Sequence, residues 1–132
     1  MAIRVCFVGY RDIKDRDRFR VCGFSDDISM VKQFIASTNA EGGGDMPEDL
    51  QGGLKLALLQ DWTAEAAKRV FIITDAPCHG NKYHAGGGDD YPKGSPDGLI
   101  LEDLMKEFCK KDIEFQIMKL NGQCDQMIKI MQ

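Results

Sequence analysis

The sequence predicts an α/β protein, a three-layer sandwich with a mostly parallel sheet and one antiparallel edge strand, in a Rossmann-like arrangement. Nearly continuous apolar runs, of which 3–8 and 70–74 are the clearest, are typical of strands that are covered on both faces. Segments with apolar residues at helical spacing separate these runs, and such alternation favours a parallel sheet. The length of 132 residues is that of one domain, so we expect residues 1–132 to form a single unit.

The first half of the chain is predicted to begin with a strand pair. The apolar strand 3–8 is followed by a charged connection and by a shorter, more polar strand at 19–24. We expect the two strands to pair in antiparallel fashion, with the second at the edge of the sheet. Ser25 can then cap the first helix, whose apolar residues share one face.

The second helix should begin at Pro47, because proline is well tolerated at the first helical position. Glu48 and Asp49 would then occupy the first turn, where the helix dipole favours negative charge. Gly52 and Gly53 lie inside this helix and cost about 1 kcal/mol each relative to alanine. We therefore expect this helix to pack closely against a neighbouring element, which would compensate for the two glycines.

The second half is predicted to alternate between strands and helices. A short helical turn capped by Thr63 should precede the most hydrophobic strand, 70–74, and a third amphipathic helix should follow near 101–108. An alternating strand at 113–117 and a last helix complete the predicted order β-β-α-α-β-α-β-α. The connection 76–98 is long, and loops of this length in compact domains usually serve a function.

Composition and charge exclude several classes of protein. With 43% hydrophobic and 29% charged residues the chain is globular, and its net charge of −4 argues against nucleic acid as a partner. No apolar run approaches the roughly 18 residues that a membrane span requires, so no membrane contact is expected. The five cysteines are odd in number and widely scattered. This usage indicates reduced thiols and a cytoplasmic protein rather than an oxidised scaffold.

Three carboxylates are predicted to meet at one edge of the sheet. The alternation of elements places Asp45, Glu48 and Asp75 at the carboxyl ends of the parallel strands, where open α/β sheets bind ligands. Asp89 and Asp90 of the long loop could lie nearby. Carboxylates that converge without a lysine suggest a divalent cation such as Mg²⁺ or Mn²⁺. The alternative is that Glu48 only complements the helix dipole and that Asp45 only makes a turn.

Three segments carry a resemblance to a known family. They are Phe-Val-Gly-Tyr-Arg-Asp at 7–12, Gly-Gly-Asp-Met-Pro-Glu-Asp at 43–49 and Ile-Ile-Thr-Asp-Ala-Pro-Cys-His-Gly at 72–80. Together they resemble von Willebrand factor type A domains over nearly the whole chain, in particular those found beside alpha-kinase catalytic domains. The Asp-x-Pro-Glu loop is also similar to that of integrin beta chains.

The resemblance implies a metal-ion-dependent adhesion site, in which Glu48 and Asp75 match ligand positions and Asp45 is a neighbour. The family's site begins with an Asp-x-Ser-x-Ser motif after a first, central strand. No such motif occurs in this sequence, and the nearest fragment is Asp-Ile-Ser at 27–29. We therefore expect a domain that is incomplete at its N-terminus. Mg²⁺ or Mn²⁺ would bind in the complete domain, whereas this chain would keep a weak, incomplete site with no metal bound at ordinary Mg²⁺ concentrations.

Other chemistry is less well supported by the sequence. Cys78, His79 and His84 lie in one loop and could suggest zinc, but their spacing is not that of a strong zinc motif. Cys78 and His79 could form a nucleophile and a base, but adjacent side chains seldom reach the required geometry. Neither a phosphate-binding loop nor a nucleophile elbow is present in the sequence.

The resemblance favours a non-catalytic protein-interaction module that acts as a regulatory or adaptor part of an alpha-kinase-type protein. Its partner would be a protein that contributes an acidic side chain. The residues expected to form the partner surface are Asp12, Asp45, Glu48, Asp75, His79 and His84. Two alternatives remain, namely a part of a serine/threonine kinase whose activity lies in another domain, and a hydrolase that uses the loop 75–90.

A missing central strand would also affect the sheet itself. Strands 3–8 and 70–74 would then either pair directly with each other or keep free, highly apolar edges. Free edges recruit other chains, so self-association is the expected result of the second arrangement.

Overall fold

The computed structural model describes residues 2–132. These residues fold into four strands and four α-helices in the predicted order β-β-α-α-β-α-β-α, which confirms the α/β class. The strands are β1 (Val5–Tyr10), β2 (Phe19–Ser25), β3 (Lys68–Thr74) and β4 (Ile113–Lys119). The helices are α1 (Ile28–Ala36), α2 (Leu50–Leu58), α3 (Leu101–Lys110) and α4 (Asp125–Met131).

The four strands form two separate sheets rather than one continuous sheet. β1 and β2 pair in antiparallel fashion, as predicted, with Tyr10 opposite Phe19. β3 and β4 pair in parallel from Lys68 opposite Ile113 onward. No strand ladder joins β1 to β3 within residues 2–132. Of the two arrangements expected from the sequence, direct pairing is therefore wrong for the described residues, and each of the two strands keeps an unpaired edge.

The link between the two sheets runs through the segment that precedes α2. The Glu48 amide donates to the Pro77 carbonyl just after β3 at 2.9 Å, and the Asp49 amide donates to the Arg11 carbonyl just after β1 at 3.1 Å. The Tyr10 hydroxyl also donates to Thr74 Oγ1 at 2.9 Å. These contacts hold the carboxyl ends of β1 and β3 beside each other, although the strands themselves do not pair.

The helix starts differ from the predicted ones because these amides bond outside the helices. Asp49, and not Pro47, precedes the first residue of α2, and its carboxylate accepts a hydrogen bond from the Gly52 amide at 3.0 Å. Glu48 therefore lies outside the helix. Asp27 rather than Ser25 caps α1 through the Met30 amide. The helical turn predicted after Thr63 is wrong, since residues 64–66 form only a turn before β3 begins.

The main core lies between the three C-terminal helices and one face of the β3–β4 sheet. Its most buried side chains include Leu50, Leu101, Phe108 and Met127. The opposite face of β3 is open in the described part of the chain, where Phe71 and Ile73 are 55% and 57% exposed. The prediction that this strand is covered on both faces is therefore wrong for residues 2–132, although both faces are apolar.

Candidate functional site

Four chain segments meet at the carboxyl ends of β1 and β3. They are the turn after β1, the glycine-rich loop before α2, the start of α2, and the long loop after β3. Within that loop one 3₁₀ turn, Asn81–Tyr83, is the regular element that the structure describes. The meeting point is therefore made by loops that two small sheets position, as expected for ligand sites in α/β folds.

The turn after β1 is shaped by its own aspartates. The Ile13 amide donates to Asp12 Oδ1 at 2.8 Å, and the Asp12 amide donates to Asp15 Oδ2 at 2.9 Å. The glycine-rich loop passes close to this turn, because a Cβ at Gly42 would lie 2.1 Å from Asp15 Oδ2. Gly42 also has φ +107°, a conformation that favours glycine. A larger residue at this position would therefore have to displace the Asp15 side chain and adopt a strained backbone.

His79 lies at the centre of the site, with its side chain 0% exposed. Its Nε2 lies 2.5 Å from Asp12 Oδ1, and its Nδ1 lies 2.7 Å from Asp89 Oδ1. The Gln51 side chain of α2 donates to the His79 carbonyl at 2.9 Å. Burial alone would lower the pKa of His79, but the hydrogen bonds with the two carboxylates outweigh it and raise the pKa. His79 therefore fastens the long loop to the turn after β1.

Asp89 receives more hydrogen bonds than any other carboxylate that we describe in this site. Besides the His79 ring it accepts the Gly80 and Tyr91 amides, both at 2.8 Å, and it lies 2.9 Å from His84 Nε2. Burial would raise its pKa, but the hydrogen bonds from His79 and His84 and from the two amides together lower the pKa to about 2. Asp89 is therefore ionised at any physiological pH, and it orients both imidazoles.

Asp45 approaches the same histidine from the glycine-rich loop. Its Oδ2 accepts the Asp90 amide at 2.7 Å and lies 3.9 Å from His79 Nδ1. The other carboxylate oxygen, Oδ1, is buried and has no hydrogen-bond partner. One ligand atom each of Asp12, Asp45 and His79 lies within 4.8 Å of the other two. These three residues are the group in the described chain that could hold a metal ion.

Glu48 and Asp75 lie at the rim of this cluster. Burial first, and then the negative charges of Asp12, Asp15, Asp45 and Asp75, raise the pKa of Glu48 to about 7. Glu48 is half-buried, whereas Asp75 is exposed. Two carboxylates, one of them partly protonated at neutral pH, do not supply the octahedral oxygen set that Mg²⁺ requires. The residues present therefore do not fit the ion of an adhesion site.

The cysteine of the long loop faces away from the histidine beside it. Cys78 is fully buried in the core, its amide donates to Met127 Sδ at 3.2 Å, and burial raises the pKa of its thiol. His84 lies deep in the loop, with Nδ1 3.0 Å from the Gly86 carbonyl. The structure thus brings together Asp12, Asp45 and His79 but does not bring Cys78 to them.

Sequence reasoning missed two features of the site. The first is the pairing of His79 with Asp12, for which the only signal is that Asp12 follows an apolar strand and His79 comes shortly after the end of another. The second is an ion-pair chain in which Arg18 lies 2.6 Å from both Asp49 and Asp97. This chain ties the start of α2 to the far end of the long loop, and no local pattern in the sequence indicates it.

Comparison with known proteins agrees with the fold and with the loop motifs. The profile of the von Willebrand factor A domain matches residues 14–86. This chain belongs to the von Willebrand factor A domain family. It is 34% identical over 116 residues to the protein named alpha-protein kinase vwkA of Dictyostelium discoideum, which covers 87% of this chain.

The chain spans only 18% of the length of that relative. No solved structure gave a significant match. Among the residues that the structure describes, none of the helices has the length and apolar character needed to cross a membrane.

Proposed function

We propose that this chain is a non-catalytic, protein-binding domain that serves as a regulatory or adaptor part of an alpha-kinase-type protein. The observation that carries the proposal is the state of His79, whose two ring nitrogens are both engaged by buried carboxylates. A general base needs one free nitrogen near a nucleophile. The neighbouring thiol of Cys78 is buried in the core and protonated, so it supplies no nucleophile.

The same contacts support a role in recognition. Asp12, Asp89 and the two histidines hold the loops in one arrangement, and loops positioned by a rigid scaffold are common binding surfaces. The buried side chains shape this surface, while Glu48 and Asp75 are accessible to a partner. With a pKa of about 7, Glu48 is protonated in part of the molecules at neutral pH. It can then donate a hydrogen bond to an acidic side chain of a partner protein.

The proposal can be tested by photo-crosslinking from the full protein. A photo-reactive residue at position 75 should capture one specific protein, and the unlabelled chain should compete for it. The control position is 103, because Asp103 is an exposed carboxylate on α3, outside the four loop segments. With the captured partner purified, Asp75→Lys should weaken binding at least tenfold, whereas Asp103→Lys should leave the affinity unchanged.

A second measurement addresses catalysis. The isolated chain should transfer no phosphate from ATP and hydrolyse no ester or peptide substrate. Turnover that is lost in His79→Gln would refute the non-catalytic proposal. Equal crosslinking from positions 75 and 103 would refute the assignment of the partner surface.

A further inference from the structure

The cluster around His79 has a shape that a metal ion could fill. The ligand atoms of Asp12, Asp45 and His79 come from three different segments and lie within 4.8 Å of one another. Zinc binds nitrogen and oxygen ligands at about 2.0–2.2 Å, so side-chain movements of about 1 Å would bring all three atoms to one ion. None of these three residues belongs to the Asp-x-Ser-x-Ser motif of the family's adhesion site.

The charges of the cluster also favour a cation. The side chains of Asp12, Asp45 and Asp89 are 9%, 7% and 1% exposed, and a ring nitrogen of His79 lies 2.5, 3.9 and 2.7 Å from their respective carboxylates. Buried carboxylates are costly unless they are paired and fully hydrogen-bonded. Asp45 fails this condition, because its buried Oδ1 has no hydrogen-bond partner. A divalent ion would satisfy that oxygen and balance the excess negative charge.

The donor set and its supporting contacts indicate which ion fits. An imidazole nitrogen favours zinc and its neighbours in the first transition series, whereas Mg²⁺ prefers oxygen ligands alone. Histidine ligands usually direct their second nitrogen to a carboxylate, which orients the ring. Asp89 holds Nδ1 of His79 at 2.7 Å and is itself fixed by the Gly80 and Tyr91 amides. This arrangement leaves Nε2, beside Asp12, as the ligand atom.

We propose that Asp12, Asp45 and His79 form a zinc site, in which Asp89 orients His79 and the ion joins the turn after β1, the glycine-rich loop and the long loop after β3. Three protein ligands leave a fourth position for water or for a group of a partner. The inference does not rest on the proposed function, because an ion that joins three loops would stabilise the domain with or without a partner.

Calorimetric titration of the chelator-treated chain with Zn²⁺ tests this proposal. One ion per chain should bind with micromolar or tighter affinity, and Mg²⁺ should bind at least a hundredfold more weakly. Asp45→Asn preserves the size of the side chain and should weaken Zn²⁺ binding at least tenfold, and so should Asp89→Asn, through loss of the orienting contact. The matched control is Asp103→Asn, at an exposed carboxylate on α3 outside the cluster, which should bind Zn²⁺ as the wild type does.

Thermal unfolding gives a second readout that does not depend on calorimetry. Zn²⁺ should raise the melting temperature of the wild-type chain and of Asp103→Asn, but not that of His79→Gln. If His79→Gln does not fold, the Asp45→Asn comparison still decides the question. Equal affinity for Zn²⁺ in the wild type and Asp45→Asn would overturn the proposal, since binding would then come from the thiols or the surface. Absence of stoichiometric binding would overturn it as well.

Discussion

Replacement of Gly52 by alanine tests how closely α2 packs against the strand pair. A Cβ at this position would lie 2.3 Å from Asp49 Oδ2 and 2.6 Å from the Phe19 ring. Helix propensity alone favours alanine by about 1 kcal/mol. Against this, overpacking typically costs about 1–3 kcal/mol, and displacing Asp49 weakens the helix cap by about 1 kcal/mol. It also strains the contact of this fully buried carboxylate with Arg18.

We therefore expect Gly52→Ala to lower the free energy of unfolding by about 1–3 kcal/mol, and by more if the Arg18 contact is lost. Guanidinium denaturation followed by far-UV circular dichroism measures this change. Gly88→Ala is the control, because a Cβ there would meet nothing within 4 Å, and it should stay within about 0.5 kcal/mol of the wild type. A Gly52→Ala chain as stable as the wild type would refute the packing argument.

Three further predictions concern the rim, the thiols and the open strand. Burial and neighbouring charges raise the pKa of Glu48 from 4.5 to about 7 in the folded chain. Between these two pH values the folded chain still holds the Glu48 proton, whereas the unfolded chain has lost it. The free energy of unfolding of the wild type should therefore fall as the pH rises from 4.5 to 7. Glu48→Gln should remove this decline, so that above pH 7 the variant is more stable than the wild type by about 1–2 kcal/mol, a value reduced for the partial exposure of Glu48. Urea denaturation in the presence of a chelator measures the difference, and an unchanged pH profile would contradict the prediction. The five cysteines are free in the structure, so non-reducing mass spectrometry should show no stoichiometric disulfide. Analytical ultracentrifugation should show that the wild-type chain self-associates and that Ile73→Lys, on the exposed face of β3, reduces this association. A wild-type chain that stays monomeric at high concentration would contradict the prediction.

Local patterns in the sequence predicted the elements well. The apolar run at 70–74 and the helical spacing of Leu101, Leu104 and Phe108 correspond to β3 and α3 in the structure. Both signals arise within a few residues of chain, which is the distance over which periodicity is informative. The consecutive glycines of α2 also indicated close packing, and the nearness of Phe19 and Tyr10 to their backbone confirms it.

Features decided by distant contacts could not be predicted in this way. The start of α2 was misplaced because the amides of Glu48 and Asp49 bond to Pro77 and Arg11. The separation of the two sheets depends on which strand edges pair with each other. The apolar run of a single strand does not indicate which other strand it pairs with. The contact between His79 and Asp12 joins residues 67 positions apart in the sequence, so no local pattern could indicate it.

The division of the strands between two sheets has a consequence for how the molecule opens. The unit formed by β1, β2 and α1 contains few buried apolar side chains. These are chiefly Cys22 and Val31, and both lie outside the main hydrophobic cluster. Units with few buried contacts open at lower free energy than the global unfolding. Amide hydrogens of β2 should therefore exchange with deuterium before those of β3. Since Asp12 follows β1 directly, each such opening would also draw Asp12 away from His79.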